Sequence, residues 1–207
     1  MMVEVYQFRV HLREISPMIW RRLLLRSDHT IADLHYTIQI AMGWDDFHLH
    51  QFLIRGKRYG VSRVYGPHFG ENGRDVSLHM FRFRQHERFL YEYDFGDRWE
   101  HEIRLEKTIP LDPKKTYPAC IGGARNAPEE DCGGPWAFQE LENHYSLPYM
   151  ADVLWQVIDG DLSREDCWEE LHSFQYWLTV NRFERRAVNK RLRWYEAGDE
   201  RWRERVV

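Results

Sequence analysis

Arg88–Leu105, RFLYEYDFGDRWEHEIRL, decides the fold. Arg88 to Tyr93 and Trp99 to Leu105, with Phe89, Tyr91, Tyr93 and Trp99, read as strands. Between them Asp94-Phe95-Gly96-Asp97 is a hairpin turn, in which Gly96 can take positive φ. A sheet is therefore expected at the centre of the chain. Upstream, Val3 to Glu14 places Val3, Val5, Phe8, Val10 and Leu12 at mostly alternating positions, the period of a strand. Ser16-Pro17 breaks it, and Ile19 to Leu25 resumes as the antiparallel partner. Thr30, with Asp33 three residues on, suits a helix N-cap. Ile31, Leu34, Ile38 and Ala41 or Met42 then form an apolar stripe that Gly43 stops. His48 to Ile54 alternates again, and Gly56-Lys57 turns into a short strand at Arg58 to Val61. Ser62 to Arg74 reads as a Gly-rich loop, and Val76 to Phe83 as a short strand or helical turn.

Downstream, Pro110 to Pro135 carries Pro, Gly and Cys with little periodicity and reads as one long loop, of the kind that is usually functional or strongly anchored. After it the pattern turns helical, over Trp136 to Tyr145, Tyr149 to Ile158, Arg164 to Trp177 and Phe183 to Tyr195. In the last, Phe183, Ala187, Val188, Leu192 and Tyr195 share a face. Strands first and helices later give an α+β class: a mixed, mainly antiparallel sheet packed by an N-terminal helix, with a helical C-terminal region. The expected organisation is a single domain over 1–207, with sheet and helix in 1–109, the loop in 110–135 and the helical part in 136–207.

The composition, 43% hydrophobic and 30% charged over 207 residues, is that of a globular chain able to bury a core without disulfides. The three cysteines, Cys120, Cys132 and Cys167, argue for a reducing compartment rather than a disulfide framework. The N-terminus lacks the apolar run of a signal peptide, and no stretch is apolar enough to span a membrane, so a cytoplasmic address and no membrane partner are expected. Net charge is −4 but segregated. Residues 126–170 carry 12 acidic groups and one basic, whereas residues 171–207 carry nine basic and five acidic. Such asymmetry marks either an interaction surface or solvated helix faces.

Four constellations carry candidate chemistry. His48 and His50 are two apart on an expected strand, so both imidazoles face one side and can reach one metal. Asp94 and Asp97 sit at the corners of the hairpin turn beside His101, where carboxylates either bind a cation or make Asx turns. Cys120 to Gly134, CIGGARNAPEEDCGG, brings two cysteines and the acidic run Glu129, Glu130 and Asp131, although the paired CxxC clamp of zinc modules is absent. Together His48, His50, Asp94, Asp97, His101, Glu130 and Asp131 form the candidate divalent-metal set. The fourth constellation is basic: Arg182, Arg186, Lys190 and Arg193 fall on one stripe of the last helix, suited to phosphates.

Several segments resemble one family: PMIWRR (Pro17–Arg22), TIADLHYTIQIAMGW (Thr30–Trp44), HLHQF (His48–Phe52), YEYDFGDRWEH (Tyr91–His101) and PEEDCGG (Pro128–Gly134). They are similar to the plasmid pRiA4b ORF-three-like family, some members of which are labelled insertion-sequence passengers of resolvase type. The resemblance implies an α+β domain of plasmids and mobile elements, with no assigned reaction. Its motif positions correspond here to Trp20, Arg21, Trp44, His48, His50, Asp94, Gly96, Asp97, Trp99, His101, Pro128, Glu130, Asp131, Cys132 and Gly133. The chain shows no Ser or Cys with an adjacent base, so the resolvase label finds no nucleophile.

Three readings follow. In the first, the chain is an accessory binding module for a protein or nucleic acid, using Trp20, Arg21, Trp44 and Trp99 or the basic stripe. In the second, it is a metal-dependent hydrolase or nuclease built on the His/Asp/Glu set. In the third, Trp, His and Asp pack as a buried polar network that fixes the fold.

Overall fold

The computed structural model describes residues 2–62 and 66–204, so residues 63–65 of the expected 62–74 loop lie outside the described residues, as do Met1 and residues 205–207. The strands are β1 (Glu4–Leu12), β2 (Trp20–Arg26), β3 (His50–Ile54), β4 (Lys57–Tyr59), β5 (Arg88–Tyr93), β6 (Trp99–Pro110) and β7 (Ala119–Ala124). They form one sheet in the order β4-β3-β5-β6-β1-β2-β7, and every pairing is antiparallel. The helices are α1 (Ile31–Met42), α2 (Gly134–His144), α3 (Leu147–Asp159), α4 (Trp168–Thr179) and α5 (Arg185–Glu196). The chain is thus α+β with a helical C-terminal region. No helix among the described residues is long and apolar enough to cross a membrane.

The pleat sorts the side chains. Phe52, Tyr91, Ile103, Val10 and Leu23 lie on one face and are fully buried. The opposite face carries a charged ladder, in which Arg22 grips Glu106 with two hydrogen bonds of 2.6 and 2.9 Å and Gln51 donates to Glu92 at 2.6 Å. One face packed and one solvated is the usual economy of antiparallel sheets.

α1 covers the apolar face. It starts with a capping box: Thr30 Oγ1 accepts from the Asp33 N–H at 3.1 Å, and an Asp33 carboxylate oxygen accepts from the Thr30 N–H at 2.7 Å. Asp33 also accepts from the Tyr195 hydroxyl at 2.6 Å, which docks α5 on the outer side of α1. The helix is therefore enclosed by the sheet and by α5, and ten of its twelve residues are buried, far more than its sequence stripe predicts.

Two polar groups of α1 enter that core. The Gln39 amide donates to Tyr91 Oη at 2.8 Å, and His35 Nδ1 lies 2.8 Å from the same oxygen. His35 Nε2 lies 2.9 Å from Asp46 Oδ1. The carboxylate can only accept, so His35 Nε2–H donates to it. Hydrogen bonds thus link Gln39, Tyr91, His35 and Asp46 in one chain. This is a buried polar network, built from residues other than the Trp, His and Asp of the third reading.

The expected 110–135 loop is corrected in part. β7 occupies Ala119–Ala124 and pairs with β2. Its sequence, ACIGGA, lacks alternation because it is an edge strand whose cover is another element: a Cβ on Gly123 would come within 2.5 Å of the Phe183 ring. β6 also runs five residues beyond the expected Leu105, to Pro110, alongside β1. Val76 to Phe83 holds a single 3-10 turn, Leu78–Phe81. The aromatics divide: Trp44, Trp99 and Trp202 are buried, whereas Trp136, Trp155 and Trp168 are exposed on α2–α4, which pack around a second small cluster of Met150, Val153, Cys167 and Phe174.

Two tests follow from this core. Tyr91→Phe leaves the Gln39 amide and His35 Nδ1 without their hydroxyl, and it should cost about 1–3 kcal/mol of stability in urea denaturation; an unchanged midpoint would show the network to be dispensable. His101 is fully buried, its Nδ1–H donates to the Trp99 carbonyl at 3.0 Å, and burial pushes its pKa down to about 3. An unfolded histidine titrates near about 6.5, so the folded state binds fewer protons below that value. The contribution of this group to stability is present above the unfolded value and is lost as pH falls toward about 3. Imidazole NMR should find His101 neutral at pH values where the exposed histidines are already charged; titration alongside them would contradict the burial.

Candidate functional site

β3 begins, β5 ends, β6 begins, β2 begins and β7 ends at one end of the sheet. Three connections meet there: Gly43–Leu49, the Asp94–Arg98 hairpin and the Arg125–Gly133 loop. The hairpin forms as its residues dictate. Asp94 takes a left-handed conformation, and its Oδ1 accepts from the Gly96 N–H at 2.9 Å, an Asx turn. The Arg125 loop is then tied across the end. The Trp44 indole donates to the Pro128 carbonyl at 2.8 Å, Asp97 accepts from the Gly133 N–H at 3.0 Å, and Glu130 accepts from the Asp45 N–H at 2.8 Å and from the Tyr93 hydroxyl. Burial, then the Glu130 bond, pushes the Tyr93 phenol up. Gly134 is needed for the approach, because a Cβ there would sit 2.5 Å from the Asp97 carbonyl oxygen.

These anchors divide the seven expected metal ligands. His48, Asp94 and Asp131 converge: their ligand atoms lie within 4.8 Å of one another. His48 Nδ1 is 3.6 Å from Asp94 Oδ2, and Nε2 is 3.1 Å from Asp131 Oδ1. Nε2 and that carboxylate, though close, are not aligned as a hydrogen bond. Asp131 is 73% exposed, so the cluster is open on one side. His50 does not join it. β3 starts at His50, so His48 lies in the preceding connection and the same-face argument for the two imidazoles does not apply. His50 instead forms a second cluster with His35 and Asp46. There the His35 and His50 rings stack in parallel with centroids 3.5 Å apart, and His50 Nε2 accepts from the Val61 N–H at 3.3 Å. A metal lies in the plane of a ligating imidazole, so face-to-face rings are poorly placed to share one. Asp97 and Glu130 hold the loop, and His101 is buried in the core.

Neither Cys120 nor Cys132 joins a metal-competent group among the described residues. Cys120 Sγ donates to the Gly122 carbonyl at 3.3 Å. Burial and then Asp97 push the Cys132 thiol up to about 12. The sequence did not single out His35 and Asp46. His35 adjoins the apolar stripe of α1, and a polar residue beside Leu34 and Ile38 was the available signal.

Of the aromatic binding candidates, Trp44 and Trp99 are buried and offer no surface contact. Trp20 is half-buried on the charged face, with the Arg9 and Arg22 guanidinium groups each 5.3 Å from its ring. Arg21 is buried.

The basic stripe is also rearranged. Arg182 lies in the turn before α5, and Lys190 stands 4.8 Å over the Trp194 ring. Arg186 and Arg193 line a groove, with Arg185 and with two residues that the sequence did not flag, Lys114 and Lys115. Asn189 sets α5 on the edge strand: its amide donates to the Cys120 carbonyl at 2.7 Å and its oxygen accepts from the Cys120 N–H at 2.9 Å. The groove therefore runs between α5 and the segment before β7. Its lining holds five cations, the floor residues Leu24, Tyr117 and Ile121, and no carboxylate. Among the described residues no ion pair joins α5 to the acidic 126–170 segment.

Residues 4–157 match the family model described as plasmid pRiA4b ORF-3-like protein. A relative from Sinorhizobium fredii (strain NBRC 101917 / NGR234), named uncharacterized protein y4hQ, is 33% identical over 142 residues, covering 68% of this chain and 73% of its own length. The crystal structure of MM3350, a protein of unknown function from Methanosarcina mazei Go1, superposes with a TM-score of 0.63 at 35% identity, covering 75% of this chain and 90% of that one. Trp44, Asp45, Tyr93 and Asp97, which hold Pro128, Glu130 and Gly133, fall inside the matched span. The chain belongs to the plasmid pRiA4b ORF-3-like family.

Proposed function

We propose that this is an accessory binding protein that grips a nucleic-acid backbone in the groove between α5 and the segment before β7. The observation that carries the reading is the lining: Lys114, Lys115, Arg185, Arg186 and Arg193 come from two separated segments to one groove with no carboxylate among them. Two of the five are partly engaged, since Lys115 pairs with Asp112 at 3.3 Å and Arg185 donates to the Ile121 carbonyl at 3.0 Å. Lys114, Arg186 and Arg193 remain for phosphates. Contacts of this kind are independent of base sequence and release counterions, which makes binding fall steeply with salt. The plasmid origin in the family name is in keeping with such a partner.

Fluorescence anisotropy with duplex DNA and with single-stranded RNA tests the reading. Affinity should fall linearly on logarithmic axes with salt, and Arg186→Ala should flatten the slope by about one. Arg186→Glu with Arg193→Glu should abolish binding while leaving the circular dichroism spectrum unchanged. No binding of either nucleic acid at low salt, or binding indifferent to the double reversal, would sink it.

A second reading rests on the convergence of His48, Asp94 and Asp131. One imidazole and two carboxylates, open to solvent, suit manganese or zinc with a position left for water, the arrangement of a metal-dependent hydrolase. Calorimetric titration with each ion should show one site per chain that His48→Ala removes. Equal uptake by wild type and variant, or no uptake by either, would assign these residues to the fold instead.

A further inference from the structure

A cavity of about 260 Å³ opens between the C-terminal turn of α1, the loop after β7 and the start of α5. Its walls are largely apolar, with Ile40, Met42, Ala187 and Val188 among them, but Arg21 and Arg191 also line it. Both are buried, at 2% and 5% exposure. Arg21 occupies a position where the pleat of β2 calls for an apolar residue, because Leu23 and Leu25 share its face. A charge placed there is strongly unfavourable unless it is compensated.

The compensation within the fold is dipolar only. Arg21 Nε donates to the Ala41 carbonyl at 2.7 Å, and Nη1 donates to the Trp20 and Ala124 carbonyls at 2.9 and 3.0 Å. Ala41 belongs to the last turn of α1, whose dipole favours a cation. Among the described residues no carboxylate pairs with Arg21, and Nη2 makes no hydrogen bond. Burial lowers the pKa only to about 10, so the guanidinium remains charged at neutral pH. The Phe183 ring lies 4.0 Å over it, an arrangement possible because a Cβ on Gly123 would strike both that ring and the Arg21 side chain. Arg191, which also lines the wall, donates through Nε to the Trp202 carbonyl at 2.7 Å. Glu129 and Glu184 also line the cavity but are exposed to solvent, which screens them.

We propose that this cavity binds a small apolar monocarboxylate, with its carboxylate on Arg21 and its hydrocarbon body against Ile40, Met42, Ala187 and Val188. The volume lies just under the range of about 300–1,000 Å³ for drug-sized ligands, so the occupant is a compact aromatic or short aliphatic acid. The other Arg21 donors are held by carbonyls, so Nη2 is the nitrogen left to give charge-assisted hydrogen bonds to a carboxylate, and the apolar walls discriminate against phosphate and sugars.

Benzoate and hexanoate titrated into the full chain by calorimetry, with benzyl alcohol as the uncharged control, test the site. The expected result is one saturable site per chain for at least one acid, with benzyl alcohol weaker by about tenfold or more. Ala187→Trp should fill the cavity and remove binding while leaving the melting temperature of the free protein close to that of wild type. Arg21→Gln, if folded, should bind acid and alcohol equally. Failure of both acids to bind at millimolar concentration, equal binding of benzyl alcohol by the wild type, or binding unchanged in Ala187→Trp would each overturn the proposal.

Discussion

The attachment of the Arg125–Gly133 loop to the end of the sheet is the constraint on which both the metal-competent corner and the cavity depend. Arg125 is 4% exposed and fixes one end, donating to the Pro17 carbonyl at 2.6 Å, to Asn181 at 3.0 Å and to Glu142. Trp44, Asp45, Tyr93 and Asp97 hold the remainder through Pro128, Glu130 and Gly133. Held this way, one side of the loop delivers Asp131 to His48, and the other delivers Asn126 to Glu129 to the cavity wall. A loop without secondary structure would lose far too much conformational entropy to sit so without that many partners.

The same anchors explain why the motif residues are a mixture of chemistry and carpentry. Asp97 and Glu130 are acids placed to accept backbone N–H bonds, and Trp44 is an indole placed to donate one. Such residues look like ligands in a sequence because the side chains that satisfy buried backbone groups are the side chains that bind metals. Only distance separates the two uses. His48, Asp94 and Asp131 are close to one another with their ligand atoms incompletely consumed, whereas Asp97 and Glu130 are spent on the loop.

What was legible in the sequence follows from periodicity. β2 and β5 were readable from their alternation and α1 from the helical spacing of Ile31, Leu34 and Ile38, and the Thr30–Asp33 box and Gly43 mark the ends of the helix by local bonding alone. β7 was illegible because its glycines answer to Phe183 and Trp20, residues distant in sequence. His35 and Asp46 were missed for a related reason. α1 is enclosed on nearly all sides, so positions outside the apolar stripe are also buried, and no single-helix pattern announces a second partner layer. Lys114 and Lys115 became part of the basic groove only through the Asn189–Cys120 pairing that docks α5 on β7.

Charge segregation along the chain has a definite outcome in three dimensions. If the acidic 126–170 segment had closed on α5, the two would have neutralised each other and the asymmetry would carry no information about partners. Instead Glu129, Glu130 and Asp131 sit on the loop across the sheet end and the remaining acids on α2–α4 and their connections, while Arg185, Arg186 and Arg193 of α5 line the groove beside the segment before β7. Fields from exposed charges decay over about 8 Å at physiological salt, so acidic groups farther than that from the groove are largely screened from it. They can act at longer range, at low salt, on the orientation of an approaching polyanion. An overall charge of −4 is therefore compatible with a basic binding face, because attraction is decided within a Debye length of the groove rather than by the sum over the chain.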